Sequence, residues 1–483
     1  MKLQDGLFGT PSGLIMDPVH GGIPFFDHEA KVIRHPLFQR LRHILQNDML
    51  FMVFPGATHN RFQHSIGTMH IAGNYFKNIV KSYLIDSIPK RKDRIKRKQN
   101  EAIQYFYFCV RLAALLHDVG HAPFSHQFEN CEAIKNIIAD ERFLKIWEGE
   151  QIDDYYEKNP NRIDHSNFSV RCAHQIFKDI SFGKKFDIQP IDVLRIMETT
   201  DRSPSERFQE YSSQVLSIFM NKHELPSFPS ENFVSEKFQS IFKEIISGEL
   251  DADKMDYLLR DSYFSGCKYG IYNIDHLLHT IKVGFDFGEP WFGLAIMSKG
   301  IGALEDFVNS RFQLYNLLYS HKVVIGFDWL LNRAICDLMN EEFVRDQISE
   351  AISDINKFKE FTDYYFWQEF YRVGRKSPRS AASRLIQREK IEYLYTGKNL
   401  AKFEKTKIMK KLAEKHKCKI IFHESETKFS KISNTYQNLR VLAKDEVSGA
   451  KELGKIVNHS EYFNKYQDIM ISHFYKDPFD ALD

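Results

Sequence analysis

RLAALLHDVGHAPFSHQFE, residues 111–129, runs an apolar stretch into an adjacent histidine and aspartate, His117 and Asp118, with His121 and His126 close behind. Consecutive residues on a regular helix point about 100° apart, so this pair reaches one cation only where a helix ends or bends. The Gly and Pro among these titratable groups weaken a helix and have no use in an ordinary core segment. Two more ligands have to come from elsewhere. HNRFQHSIG offers His64 upstream and GELDADKMDYLLRD offers Asp253 downstream, each lying within or opening a segment of helical periodicity. Imidazole and carboxylate together suit one divalent ion such as Fe, Mn, Zn, Ni or Mg, and not a thiolate site. Four protein ligands on an ion that accepts five or six leave open positions for water and another oxygen ligand, as a hydrolytic metal requires.

Working outward, apolar residues recur at three and four positions through HSIGTMHIAGNYFKNIVKSYLI, EAIQYFYFCVRLAALL, IGALEDFVNSRFQLYNLLYSHKVVIGFDWLLNRAICDLM and ISDINKFKEFTDYYFWQEF, so the chain reads as mainly α. Strand-like alternation is confined to IKVGFDF with WFGLAIM near 290, read as a small β hairpin, and to CKIIFH near 420. From about 341 the pattern is less regular and rich in Lys and aromatics. Residues 1–340 are therefore expected to form the catalytic core and 341–483 a mixed C-terminal lobe.

At 483 residues and 43% hydrophobic the chain can bury a large core, and a net charge of +2 gives it no overall field for polyanions. Six cysteines without a CxxC argue against a disulfide framework and a cysteine zinc site, which points to a reducing compartment. No run of about 18 apolar residues is present, so no membrane span is expected and the cytoplasm is the expected location.

Six blocks resemble, in the same order, the HD-domain phosphohydrolases, and within them the deoxynucleoside triphosphate triphosphohydrolases related to the mammalian sterile-alpha-motif-and-HD-domain protein. They are DPVHGGI (from Asp17), HPLFQRLRHILQ (from His35), FPGATHNRFQHSIG (from Phe54), LLHDVGHAPFSHQFE (from Leu115), ELDADKMDYLLRDS (from Glu249) and RFQLYNLLYSHKV (from Arg311). The first starts so near the N-terminus that no sterile-alpha-motif domain is expected before it.

The resemblance implies an HD-domain helical core in which water attacks the α-phosphorus and the whole triphosphate leaves a 5′ alkoxide, with room for additional Mg on the substrate phosphates. His126 matches the general acid, Glu129 the carboxylate that holds its charge (Asp in the family pattern), His121 the residue at the α-phosphate and His165 an accessory histidine. Arg61, Lys254 and Arg311 match the phosphate clamps. Asp253, Tyr257 and Asp261 recur at every fourth position, as do Arg311, Tyr315 and Tyr319, so each trio is expected on one helical face. By resemblance Gln46 and Asp261 bond the 3′ hydroxyl, and Tyr319 packed on C2′ excludes a ribose hydroxyl. At the Tyr315 position the mammalian relative carries His, and NDML follows Gln46 in place of a Leu and glycine run, so base preference is open.

The chain departs most at the family's activator site, where Arg34 stands in place of the guanine-reading aspartate while Gln39 and Arg42 remain. Arginine has only donors, so guanine-specific activation is not expected. Homo-oligomerisation, as a dimer or tetramer, follows from the same resemblance. Two basic tracts, PKRKDRIKRKQ at 89–99 and AKFEKTKIMKKLAEKHKCK at 401–419, are solvated faces or sites for single-stranded nucleic acid. Other HD phosphohydrolases acting on different phosphoesters, and a nucleic-acid-binding HD protein, are the competing classes.

Overall fold

A computed structural model describes residues 7–87, 97–139, 164–182, 187–198, 203–219, 231–286, 291–427, 439–444, 451–465 and 469–480. The chain opens with an antiparallel hairpin, β1 (Gly13–Asp17) and β2 (Gly21–Phe25), whose turn ends on Gly21 at φ 70°. Next to it lie the two longest helices, α1 (Arg61–Ser87) and α2 (Arg97–Leu116). In α1 the buried Phe62, Ile66, Met69, Phe76 and Val80 fall on one stripe, which packs on α2. Every residue of α2 from Tyr105 to Leu116 is buried, as expected of a helix at the centre of the core. Arg111 is tolerated there because its guanidinium donates twice to Glu29, at 2.6 and 2.8 Å.

Around this pair stand α3 (Ser125–Asn130), α4 (His165–Asp179), α5 (Ala252–Ser265), α6 (Ile301–Leu314), α7 (Lys322–Leu338) and α8 (Asp363–Lys376). Of the four long periodic stretches, two lie within single helices, α1 and α2, and the other two are broken. A π-helical turn, Tyr315–Tyr319, separates α6 from α7, and the stretch near 352–370 breaks at Asp354, which caps a short helix, Ile355–Phe358, before α8 begins. The mainly helical class holds.

The expected hairpin forms as β3 (Ile281–Asp286) and β4 (Trp291–Met297), but it is half of a larger sheet. The strands β7 (Arg440–Lys444) and β8 (Lys451–Lys455) complete the order β3-β4-β7-β8, with β4 and β7 parallel. A second sheet, β5-β9-β6, joins Tyr393–Lys398, Ile469–Lys476 and Ile420–Thr427, and carries the lysine-rich helix α9 (Lys402–His416). The boundary expected at 340 runs through a shared core. Phe361 lies 5.7 Å from Phe128, Phe370 lies 6.2 Å from Phe124, and one apolar cluster continues from Leu7 to Tyr475. Among the described residues only a small cluster around Cys418, Ile420 and Phe474, covered by α9, stands apart. Among the described residues no helix is long and apolar enough to cross a membrane.

Candidate active site

The helix α2 stops at Leu116, and His117 and Asp118 occupy the turn that follows, as their adjacency required. Across from them α1 carries His64 and α5 carries Asp253. Ligand atoms of His64, His117 and Asp253 all lie within 4.8 Å of one another. Asp253 Oδ1 is 2.9 Å from His64 Nε2 and 3.7 Å from His117 Nε2, and Asp118 is 3.3 Å from His117 and 3.7 Å from His64. All four expected ligands therefore converge.

The orientation of the two imidazoles tests whether a cation fits. His64 Nδ1 donates to Asp256 Oδ2 (2.8 Å) and His117 Nδ1 donates to the Ala114 carbonyl (2.8 Å). Each ring thus has its proton on Nδ1 and turns its Nε2 into the cluster, where both Nε2 atoms are buried without a hydrogen-bond partner. Burial alone would depress His64, yet the carboxylates of Asp253 and Asp256 on either side of the ring raise it to about 10, so this surplus of negative charge calls for a positive charge at the centre. A divalent ion bound by two imidazoles and carboxylates meets that demand. The close approach of α5 depends on Gly67, since a Cβ there would lie 1.8 Å from Asp256 Oδ1. Asp256 in turn accepts from His20 Nε2 (2.6 Å) and from Arg260, which also donates to Asp17, so the DPVHGGI hairpin braces the back of the centre.

A second cluster lies beside the first. Residues Phe124 and Ser125, at φ 52° and 44°, turn the chain through the left-handed region where α3 begins. Two buried anchors hold that turn: Phe124 N donates to Asp363 Oδ1 (2.9 Å), and the Phe124 ring packs among Phe366, Trp367 and Phe370. Gly120 lets α4 come close, because a Cβ would stand 2.0 Å from Ser169 N. Asp164 caps α4, accepting from Ser166 N (2.9 Å), and fixes His165 at its first position. As a result His121 and His165 stack with centroids 4.2 Å apart, and His126 meets both edge-on at 5.4 and 5.1 Å. Glu129 reaches His165 (3.3 Å) and His126 (3.5 Å) with the same oxygen. Despite burial, these two histidines hold Glu129 well below the usual carboxylate range, and Glu129 raises His165 against its own burial. Burial and the neighbouring charges of Arg61 and His165 push His121 far down, so it is neutral. His126, with a side chain 60% exposed, is the member that opens outward.

The remaining expected residues divide. Arg61 donates to Ser125 Oγ (2.7 Å) and forms an ion pair with Asp118, linking both clusters. Asp261 accepts from Tyr319 OH (2.5 Å) and from His59 Nε2 (2.6 Å). Tyr315 lies 5.0 Å from Tyr319 with the Arg311 guanidinium 4.7 Å over its ring, and Tyr257 is 6.5 Å from Tyr319. The second trio does not line a regular helical face, because Tyr315 and Tyr319 sit on the π turn, but its members still adjoin. Gln46 is placed by its N–H on the His59 carbonyl (3.1 Å), and its Oε1 is buried without a partner. Lys254 departs from expectation. Its ammonium is buried, ion-paired with the helix-capping Asp251 (2.5 Å) and bonded to the Gly248 carbonyl (2.6 Å), so it is not presented as a clamp.

Of the regulatory candidates, Arg34 is exposed at a helix end, Gln39 is tied to the Ile33 carbonyl (2.6 Å), and Arg42 donates to Gln39 and stacks on Phe62 at 3.6 Å. The first basic tract lies mostly outside the described residues, and the second is the exposed face of α9 and the turn after it. Three functional neighbours were not foreseen. Asp256 had a signal, since Arg260 follows it at helical ion-pair spacing. His59 and Asp363 had none, because each acts on residues far away in the chain.

Residues 61–207 match the family described as HD domain. The chain is 27% identical over 75% of its length to deoxynucleoside triphosphate triphosphohydrolase SAMHD1 of Danio rerio and 26% identical over 75% to that of Homo sapiens, covering 52% and 51% of those proteins. It is 28% identical over 68% of its length to an uncharacterized protein of Methanocaldococcus jannaschii, of which 50% is covered. The chain thus spans about half the length of the curated relatives it matches. A crystal structure of a hypothetical protein from Aquifex aeolicus has a TM-score of 0.62 at 25% identity over 96% of both chains. A phosphohydrolase from Bacteroides thetaiotaomicron shares the fold, with a TM-score of 0.61 at 19% identity over 96% of this chain and 99% of that one.

Proposed function

We propose that this chain, which belongs to the HD-domain family, is a metal-dependent phosphohydrolase that cleaves deoxynucleoside triphosphates to deoxynucleoside and inorganic triphosphate. The observation that carries this reading is the juxtaposition of a candidate cation site, where Asp118 adjoins the cluster of His64, His117 and Asp253, with a histidine set held by Glu129; His121 Nε2 lies 3.4 Å from Asp118. A divalent ion held by the first set would supply an acidified water and polarisation of a phosphoryl group. Everything else falls to side chains. Loss of triphosphate in one unit leaves a 5′ alkoxide, a poor leaving group that needs a proton. His126 faces outward to donate it, and Glu129 contacts His126 and stabilises the charged form of His165. Arg61 and Arg311 offset the substrate's negative charge, and Asp261 with Tyr319 forms a hydrogen-bonded rail for the sugar, with Tyr319 excluding a 2′ hydroxyl.

The engagement of Lys254 by Asp251 favours one second reading, an HD phosphohydrolase for a phosphoester carrying fewer charges. A homo-oligomer and activation that does not read guanine, with Gln39 and Arg42 near phosphates or an interface, complete the proposal. The test is incubation with each of the four deoxynucleoside triphosphates, singly and mixed, with and without GTP, followed by chromatography of the products. Deoxynucleoside plus triphosphate is expected. Pyrophosphate or monophosphate as the first product, or a strict GTP requirement, would overturn the corresponding part.

A further inference from the structure

Two thiols 205 positions apart in the chain lie against each other. Cys131, the residue that ends α3, and Cys336, in the last turn of α7, bring their sulfurs to 2.8 Å. A disulfide is about 2.05 Å long, so closure requires a movement of roughly 0.8 Å. The helices that carry them are already tied, since Asn332 Nδ2, one turn before Cys336, donates to the Gln127 carbonyl of α3 (3.3 Å) and Cys336 Sγ faces Asn332 Oδ1 at 3.8 Å. Cys131 is fully buried and Cys336 half-buried, so a small reagent approaches the pair past Cys336. Spacing along the chain could not reveal this pair.

We propose that Cys131 and Cys336 are a site of reversible disulfide formation, with a peroxide as the oxidant. The hydrogen bond between the two thiols eases the first deprotonation of the pair, bringing Cys131 down to about 7. The Cys131 thiolate attacks one oxygen of hydrogen peroxide; the O–O bond breaks, Cys131 becomes a sulfenic acid, and the departing hydroxide takes up a proton to form water. The Cys336 sulfur then attacks the Cys131 sulfur; the S–O bond breaks, the S–S bond forms, and the second oxygen leaves as water with the Cys336 proton. Two electrons pass from the sulfurs to the peroxide, and a dithiol returns them. In a reducing compartment a pair of this kind is formed transiently rather than permanently. The bond would fasten the end of α3, the helix that carries His126 and Glu129, to α7.

The experiment treats the full chain with hydrogen peroxide, alkylates the remaining thiols and maps peptides by mass spectrometry. The expected result is one intramolecular crosslink, Cys131 to Cys336, with two of the six thiols lost and both recovered by dithiothreitol. Cys336→Ser should give no crosslink and a sulfenic acid at Cys131 that a cyclic 1,3-dione traps. Its melting temperature under reducing conditions should match that of the unmodified protein, which separates a lost bond from a lost fold. Recovery of both cysteines as thiols, crosslinks dominated by Cys109, Cys172, Cys267 or Cys418, bonds between chains, or oxidation that dithiothreitol does not reverse would each overturn the proposal.

Discussion

The two halves of the site are built to opposite specifications. Around the cation centre every imidazole is locked: His64 is held by Asp256, His117 by a helix carbonyl, and glycine at position 67 lets a neighbouring helix approach to contact. In the half proposed for proton transfer, His126 stands largely in the open on a six-residue helix, entered through two left-handed residues that cost on the order of 1–3 kcal/mol each. A cation needs lone pairs fixed in space before it arrives. An acid must instead reach a leaving group that comes and goes, so its carrier is short and is restrained from behind by Asp363 and an aromatic cluster. Fixity and access are separated between two segments that meet at Asp118 and His121.

Breaking the rigid half should have the largest effect. Replacing His64, His117, Asp118 or Asp253 by Ala is expected to abolish both bound metal and hydrolysis while the helical circular dichroism persists. Near-normal metal content and activity in the His117→Ala or Asp118→Ala protein would remove the centre from the mechanism.

The open half should fail differently. His126→Ala is expected to keep its metal and lose turnover by ~10²-fold or more. A substrate with a good aryl leaving group should be spared most of this loss, because it departs without a proton. Equal slowing of both substrates would rule out the acid role.

Asp256→Asn sharpens the contrast from behind the rigid half. Its carboxylate orients His64 without joining the cluster, so a fall in metal affinity of about 10–100-fold is expected, with turnover restored by excess metal. Loss of turnover at saturating metal would mean that Asp256 acts on the substrate side.

The smallest effect is a shift of pH dependence. Glu129 keeps His165 protonated above its ordinary range, so the charged pair is intact at low pH and is lost as pH rises through the raised value. The Glu129→Gln protein should lose activity at lower pH on the alkaline side, with the acid side unchanged. An unmoved alkaline limb would show that the pair does not govern turnover.

How much of this could be read from the chain follows the same division. His117–Asp118 announced a helix end because two adjacent residues cannot otherwise share a cation, and α2 does end at Leu116. The orienting partners were silent: Asp363 touches Leu45 and Phe124 from hundreds of positions away, and nothing local marks it. Lys254 matched a clamp position, yet Asp251 three residues earlier is the helix cap and takes its charge. The domain boundary misled because Phe361, Phe366 and Phe370 have an ordinary helical pattern, and only their contact with Phe124 and Phe128 shows that they complete the first core. The π turn was hidden for a related reason, since the 3–4 spacing of apolar residues passes through it undisturbed.

The claim on which the account rests is that four side chains hold one ion on which hydrolysis depends. Protein stripped with a chelator and titrated with Mn, Fe, Zn, Ni or Mg measures it directly, with bound metal and hydrolysis of a deoxynucleoside triphosphate followed together. The account predicts no turnover in the stripped protein and a linear recovery that ends at one tightly bound ion per chain. Full turnover without metal, or recovery that requires no ion at the site of His64, His117, Asp118 and Asp253, would contradict it.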